Sequence, residues 1–370
     1  MSHKEAFRVN NFDLIRLFAA SEVALRHTLD RFGMADSWLC ECTSWLPGVP
    51  IFFFVSGFLI SKSYESNSRL GEYVRNRILR IYPALILCVL LSFLGVLFTG
   101  YLATQSYTFS NIALWLLGQM TIVQFYNPAF MRDFGIGVLN GSLWTVTVEL
   151  QFYVLIPMIY WLFARILKRG INLNMALIGL IVLFVLGNLG YKHLSELQPS
   201  AMTTKLFMVT FIPWFFMFLI GILAQKNFGL IYRLIIGRTL PILLAYGCLI
   251  FFCVRFLGLK TGNEIHPVLF PFLAIVVLTL AYNAPTLADR ILHKNDISYG
   301  VYIYHAPIVN LMIFYGFATK PLDVIIALAI SVAMATISWI CVERIAIRKK
   351  KRPSMDLDAE SGPSSRSILG

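Results

Sequence analysis

The stretch from residue 10 to residue 30, "NNFDLIRLFAASEVALRHTLD", decides how the rest of the chain is interpreted. It is apolar enough to begin a membrane-spanning helix, yet it holds five ionisable side chains, namely Asp13, Arg16, Glu22, Arg26 and His27. A charged side chain near the middle of a spanning helix costs roughly 2.5–3.5 kcal/mol on insertion scales. We therefore expect this helix to pack against others and to use some of these side chains.

The composition of the chain is that of an integral membrane protein. Of its 370 residues, 58% are hydrophobic and 14% are charged, whereas a soluble protein holds about 45–50% and about 25%. The apolar residues come in blocks, many of which approach the ~20 residues that a helix needs to cross a bilayer. We expect an all-α polytopic membrane protein without a large soluble domain.

The charge and the cysteines argue against two kinds of ligand. The net charge is +12, but the basic residues lie mainly at the ends of apolar blocks, where they set topology. A nucleic-acid-binding protein would gather them in one basic groove. Four of the six cysteines lie in apolar blocks, and Cys40 and Cys42 alone are too few for a zinc site. We expect no nucleic-acid partner and no metal centre.

The loop charges set the number of spans. Eleven apolar blocks fall near residues 12–29, 46–62, 79–99, 111–126, 143–164, 174–191, 206–225, 239–256, 267–283, 298–316 and 323–343. If 111–126 does not cross, every basic cluster becomes cytoplasmic, including "RKKKR" at 348–352. We predict ten transmembrane helices plus one short re-entrant or interfacial helix, with both termini cytoplasmic. Residues 1–345 would form the membrane domain, and 346–370 a basic and then disordered tail.

The first helix places a cation and an imidazole on one face. Arg16 and His27 are eleven residues apart, which is three turns plus about 20°, so they lie about 16 Å apart along the axis. Ala20 and Val23 lie between them, and we predict a groove of small residues from one to the other. These side chains could serve only as contacts between helices. An ionisable group inside the membrane is a functional candidate by default, and we assign that role to His27.

A second basic pair stands at the start of the third apolar block. Arg77 and Arg80, in "YVRNRILRIYP" at 73–83, are one helical turn apart. Membrane-surface anchoring explains arginines at such a place. Two guanidinium groups one turn apart also form a fork for phosphate. The spacing alone leaves both interpretations open.

A carboxylate in the fifth block is predicted to be the partner of His27. In "NGSLWTVTVELQFY" at 140–153, Ser142 is expected to cap a helix, which puts Glu149 about 10 Å along it. His27 is expected at a similar depth. A buried carboxylate needs a partner, and Glu149 would fix the tautomer of His27 and make it a better base.

Two other features favour structural roles. Glu22 and Arg26 are four residues apart in the first helix and can pair with each other. His305 lies well inside a span and is followed by Pro307, which is typical of a histidine at a proline kink.

These stretches, together with "VPIFFFVSGFLI" at 49–60, resemble the acyltransferase-3 family of membrane acyltransferases. Five motifs of that family occur in order over about residues 10–345, namely Arg16-x10-His27, Ser56-Gly57-Phe58, Arg77-x-x-Arg80, Ser142-Leu143-Trp144 with Glu149, and His305-x-Pro307. The terminal Glu-Arg-Pro of the family has Ile345 in place of its proline, so that helix end is expected to differ.

The resemblance implies a stand-alone O-acetyltransferase of the bacterial cytoplasmic membrane. The donor substrate would be cytoplasmic acetyl-CoA, with no permanently bound cofactor. The acceptor would be a hydroxyl of a glycan or lipid-linked glycan (O-antigen, exopolysaccharide or nodulation lipo-chito-oligosaccharide). The catalytic residues would be His27 and Glu149. The donor-binding residues would be Arg16, Arg77 and Arg80. Contacts to the oxyanion or the acceptor would come from Trp144, Arg26 or His305.

Three alternatives remain at this stage. A transporter of a glycan precursor or organic ion would also hold ionisable residues in the membrane, although no internal repeat of the kind common in transporters is visible. A structural subunit would leave the matched polar residues unexplained. Transfer itself could be direct or could pass through an acyl-enzyme on a serine or tyrosine.

Overall fold

The computed structural model describes residues 10–349, and this part of the chain is helical, without β-strands. We number its longer helices α1 (Phe12–Arg31), α2 (Gly48–Ser66), α3 (Leu70–Phe98), α4 (Phe109–Met120), α5 (Trp144–Lys168), α6 (Leu173–Leu197), α7 (Phe215–Lys226), α8 (Phe228–Ile235), α9 (Thr239–Leu257), α10 (Phe270–Tyr282), α11 (Ser298–Phe314) and α12 (Pro321–Ser338). Shorter helices are Trp38–Ser44, Met202–Met208 and Leu287–Leu292. After α12, a π-helical turn at Trp339–Glu343 leads into Arg344–Arg348. Most of the predicted tail at 346–370, and the N-terminal residues predicted to be cytoplasmic, lie outside the described residues.

Six helices of the described chain are long and apolar enough to cross a membrane, or seven if the pair α7 and α8, bent by 86°, counts as one span. The chain is thus a multi-pass membrane protein, but the predicted ten spans are not confirmed. Three of the expected spans fall short for physical reasons. α1 carries several charges, whereas α10 and α11 have 13 and 17 residues, fewer than the ~20 that cross a bilayer. α4, with 12 residues, is about 18 Å long.

The interior is built on close helix crossings at glycine. α2 packs against α7, and a Cβ atom at Gly57 would overlap the carbonyl oxygen of Phe218. From the other side, a Cβ at Gly221 would overlap the carbonyl oxygen of Phe54. Because both glycines lack a side chain, the two backbones touch, as is common between membrane helices.

α1 and α11 form the second close pair and carry the two histidines of interest. Nearly all of α11 is buried, and it packs on α1 and α12. α1 meets its neighbours through Ala19, Ala20 and Ala24, which are fully buried. The helices farther from this centre expose large apolar side chains instead, for example Val182, Leu186, Phe252 and Phe256, as a lipid-facing surface requires.

Candidate functional site

The packing of α1 on α11 brings two histidines together. Nδ1 of His27 lies 3.0 Å from Nε2 of His305, and the ring centres are 5.2 Å apart. His305 is fully buried, whereas His27 is half-buried. The sequence favoured a structural role for His305, and the family resemblance implied a contact to the oxyanion or the acceptor, but the structure makes it the hydrogen-bond partner of His27.

The contacts of His305 determine which ring nitrogen carries the hydrogen in each of the two neutral histidines. Its Nδ1 lies 3.4 Å from the carbonyl oxygen of Val301, and a carbonyl can only accept. Nδ1 of a neutral His305 therefore carries the hydrogen, and its Nε2 is an acceptor. Nδ1 of His27 must then donate to it, which leaves Nε2 of His27 with a free lone pair. The arrangement presents one oriented imidazole base.

Glu149 does not lie beside His27 as predicted. Its Oε1 accepts hydrogen bonds from the hydroxyl of Ser56, at 3.1 Å, and from that of Tyr153, at 2.5 Å. The prediction placed it by depth alone, and rotation about the helix axis sends its carboxylate toward α2 instead. His305, rather than a carboxylate, faces Nδ1 of His27.

The predicted cap at Ser142 is also wrong. Its hydroxyl donates to Oδ1 of Asn140, at 2.6 Å, and a short 3₁₀ turn at Gly141–Leu143 precedes α5. α5 begins at Trp144 without a side-chain cap.

A cavity of about 340 Å³, the basic cavity, lies at the beginning of α1 and is lined by Arg16, Arg77 and Arg80. Oδ2 of Asp296 accepts hydrogen bonds from Arg16, at 2.8 Å, and from Arg80, at 2.5 Å. The guanidinium carbon of Arg77 lies 5.6 Å from the ring centre of Tyr73. The structure thus brings all three predicted donor-binding arginines to one cavity.

Asp296, which sequence reasoning missed, ties α1 and α3 to α11. Its Oδ1 accepts from the backbone N–H of Ser298, at 3.2 Å, and from its hydroxyl, at 2.5 Å. Burial alone would raise the pKa of Asp296, but the guanidinium groups of Arg16 and Arg80 outweigh it and lower the pKa below its usual range. The signal that could have found Asp296 is the need of two buried guanidinium groups for a counter-ion.

A second space, the narrow cavity, continues from the basic cavity. The two share three lining residues, Arg16, Ser56 and Glu149. The narrow cavity measures about 40 Å³, room for only a few water molecules. Phe52 and Tyr302, whose ring centres are 5.5 Å apart, stand on its wall. The ring centre of Tyr302 lies 6.0 Å from that of His305, so one residue of the cavity wall borders the histidine pair.

The route differs from the groove predicted along α1. Ala20 is fully buried, and Gly48 of α2 packs closely on Val23. Apart from Arg16, where it meets the basic cavity, the narrow cavity is lined by α2, α5 and α11, through residues such as Phe52, Thr145 and Tyr302. A spacing argument on one helix cannot show which partner covers its small residues.

Two further cavities meet at His27. The histidine cavity, about 230 Å³, is lined by His27, His305, Trp144 and others. The carboxylate cavity, about 670 Å³, is lined by His27 and Arg26 and by four acidic residues, Glu22, Asp30, Asp36 and Glu41. Nη1 of Arg26 lies 3.6 Å from Oε1 of Glu22, which confirms their predicted pairing.

Within residues 10–349, no group of three His, Cys, Asp or Glu residues is placed to hold a metal.

Fold and site define a class, a multi-pass helical membrane protein with arginines at one end of α1 and a histidine pair near the other. The family model described as an acyltransferase domain matches residues 9–343. The chain therefore belongs to the acyltransferase-3 family, and it is an acyltransferase.

Curated relatives agree with this membership. The chain is 29% identical to Nodulation protein 10 of Rhizobium leguminosarum bv. viciae over 354 residues, which cover 92% of this chain and 93% of the relative. It is 29% identical over 150 residues to the O-acetyl transferase of Shigella phage Sf6, covering 40% and 44%. It is 28% identical over 180 residues to O-acetyltransferase OatA of Staphylococcus aureus, covering 46% and 28%. No solved structure gives a significant match.

Proposed function

We propose that this chain is an O-acetyltransferase that moves an acetyl group from cytoplasmic acetyl-CoA to a hydroxyl of a cell-surface glycan or lipid-linked glycan. The observation that carries the proposal is the order of three features between the two ends of α1. The basic cavity lies at the start of the helix, the narrow cavity continues from it, and the histidine pair stands near the far end. The names of the phage and staphylococcal relatives, both O-acetyl transferases, support the choice of acetyl.

The donor end is explained by charge. CoA is rich in phosphate, and the guanidinium groups of Arg16, Arg77 and Arg80 would meet these phosphates in the basic cavity. The thin pantetheine arm would then extend through the narrow cavity toward the histidines. At about 40 Å³ that cavity must widen first, and rotation of Phe52 and Tyr302 would open it.

The acceptor chemistry follows from the tautomer of the histidine pair. Nε2 of His27 would take the proton of a sugar hydroxyl while the hydroxyl oxygen attacks the thioester carbon. The carbon–sulfur bond then breaks, and the CoA sulfur leaves with the proton returned by His27. His305 would hold the ring through Nδ1, as the geometry of the pair allows. Trp144 and Arg26 line the cavities beside His27 and are candidates to stabilise the oxyanion that forms when the hydroxyl attacks the thioester.

In this scheme Glu149 has a different task from the one predicted. It stands where the basic and narrow cavities meet and binds Ser56 and Tyr153. There it would fix the positions of the side chains that line the donor path. Ser56 and Tyr153 also keep the acyl-enzyme route open. Mass spectrometry after incubation with donor alone separates the routes, because an acetylated side chain would contradict direct transfer.

The remaining elements of the proposal concern placement in the cell. Presentation of acetyl-CoA from the cytoplasm requires the basic cavity to face inward, which agrees with the positive-inside rule for Arg77 and Arg80. We propose the bacterial cytoplasmic membrane, with both termini inside. The acceptor would be O-antigen, exopolysaccharide or a nodulation lipo-chito-oligosaccharide, the last suggested by the name of the rhizobial relative.

The decisive experiment uses the purified protein in lipid nanodiscs. Radiolabelled acetyl-CoA is supplied with surface glycans isolated from cells lacking the gene, and labelled glycan and released CoA are counted. We expect equal amounts of both, and about 10²–10⁴-fold less of each with His27→Ala. In sealed proteoliposomes of the same protein, glycan that moves across the membrane unmodified, without release of CoA, would support a transporter instead. The small size of the narrow cavity does not favour that alternative.

A further inference from the structure

The carboxylate cavity stands apart from the donor end, and its lining indicates the chemistry of the acceptor. We propose that it binds the acceptor and selects a short glycan without acid groups, either uncharged or bearing amines. This inference rests on the proposed function and names its substrate class. His27 is on the cavity wall, so a hydroxyl of a glycan bound there reaches the proposed base.

The wall of the carboxylate cavity is mainly acidic. Four carboxylates face the cavity, and the one cation among its lining residues is Arg26, which lies beside Glu22. Asp36 and Glu41 are exposed and make no ion pair with the described residues. A glycan with uronic or sialic acid groups would meet like charges here, which disfavours its binding, whereas hydroxyls and amines can donate to the carboxylates.

One carboxylate oxygen of Glu22 has no hydrogen-bond donor among the described residues. Glu22 is 4% exposed, and its Oε2 accepts from the backbone N–H of Gly48 at 2.7 Å. Its Oε1 is buried, makes no hydrogen bond in the described structure, and lies 3.6 Å from Arg26, beyond hydrogen-bonding distance. A buried acceptor of this kind is unfavourable unless a donor fills the place. A sugar hydroxyl or amine entering the cavity supplies that donor, and an acid group does not.

The size and the lining of the carboxylate cavity also suit a short glycan. The cavity measures about 670 Å³, within the range of about 300–1,000 Å³ of ligand-binding clefts. It therefore holds several sugar rings and not a whole polymer. Ser37, Ser44, Thr261 and Asn263 add uncharged polar groups to the wall, which suits a ligand covered in hydroxyls.

The test is a binding measurement without donor, on the full chain in nanodiscs. Three tetrasaccharides are compared by calorimetry, made of N-acetylglucosamine (uncharged), glucosamine (amine-bearing) and galacturonic acid (acidic). We expect the first two to bind and the acidic one to bind at least about tenfold more weakly. The double variant Asp36→Asn with Glu41→Gln should weaken the amine-bearing ligand about tenfold and change the uncharged one less than about twofold. Asp133→Asn, an exposed carboxylate outside this cavity, serves as the matched control and should change neither.

Equal binding of the acidic tetrasaccharide, or no binding of the other two, overturns the inference. An unchanged preference in the double variant also overturns it. Binding of acetyl-CoA to the same nanodiscs, measured separately, tests the donor side. If acetyl-CoA binds and acidic glycans are acetylated, the proposed function stands and this inference fails. If acetyl-CoA does not bind, the proposed function fails first.

Discussion

His27 and His305 are 278 residues apart in sequence, yet Nδ1 of one lies 3.0 Å from Nε2 of the other. The first comes from α1 and the second from α11, which pack directly on each other. Because the second ring is fully buried and faces the carbonyl oxygen of Val301, it restricts both the orientation and the tautomer of the first. An imidazole held in this way can play the part that a carboxylate plays in a triad, without placing a negative charge in the membrane.

The first prediction concerns His27 itself. His27→Ala should lower acetyl transfer by about 10²–10⁴-fold, the usual contribution of a general base. The thermal unfolding temperature and acetyl-CoA binding should stay near those of the wild type, since His27 is half-buried and contacts the donor arginines through no hydrogen bond. His193→Ala, at an exposed position on α6, is the control. Normal turnover in the His27 variant contradicts the assignment.

The second prediction separates positioning from packing at His305. His305→Gln can still accept a hydrogen bond from Nδ1 of His27, whereas His305→Leu cannot. We expect kcat to fall more in the leucine variant, by about tenfold relative to glutamine, because the hydrogen bond orients the base. The KM for acetyl-CoA should be similar in both. If a structural role is all that His305 has, the two variants lose activity in proportion to their loss of stability, which thermal unfolding measures.

The sequence predicts much of the fold and part of the candidate site. The remaining features could not be predicted, and the reason is physical in each case. Every apolar block contains a helix. In lipid, the backbone N–H and C=O groups of such a block have no water to bond to, and a helix satisfies them within the segment itself. The pairing of Glu22 with Arg26 follows from spacing on a single helix, whereas the grouping of Arg16 with Arg77 and Arg80 as donor-binding residues came from the family resemblance. The partner of His27 depends instead on how α11 rotates against α1, and no periodicity on either helix encodes that rotation. Asp296 was missed because it lies in a connecting segment and not in a span.

The third prediction tests the donor arginines. Arg80→Lys should raise the KM for acetyl-CoA about tenfold, because one ammonium cannot hold Asp296 and a phosphate together as a guanidinium can. With S-acetyl-pantetheine, which lacks phosphate, the KM should not change. Arg75→Lys, exposed on the same helix and outside the basic cavity, is the matched control. An equal rise for both donors would argue against phosphate recognition.

The fourth prediction uses the charge of Asp296. Asp296→Asn leaves Arg16 and Arg80 without their carboxylate, and breaking a buried ion pair costs up to about 3–5 kcal/mol. The pKa of Asp296 in the folded protein is lowered, so its contribution is complete above the unfolded pKa of about 3.9 and declines as the pH falls from there through the lower folded pKa. The unfolding temperatures of wild type and variant should therefore differ most at pH 7 and converge below about pH 4. Asp133→Asn is the control, and equal unfolding temperatures at pH 7 would refute the prediction.

The fifth prediction tests the close crossing of α2 and α7. Gly57→Ala would press a Cβ atom into the carbonyl oxygen of Phe218, and since that atom is backbone, the helices must move apart. Gly179→Ala, within α6, meets no atom within 4 Å and should stabilise its helix by about 0.5–1 kcal/mol. Thermal unfolding in detergent should thus show opposite signs for the same substitution. Gly57 also adjoins Ser56 on the donor path, so the first variant should lose acetyl-CoA binding as well as stability, while the second keeps both. Equal effects of the two alanines would mean that the backbone contact between α2 and α7 does not support the donor path.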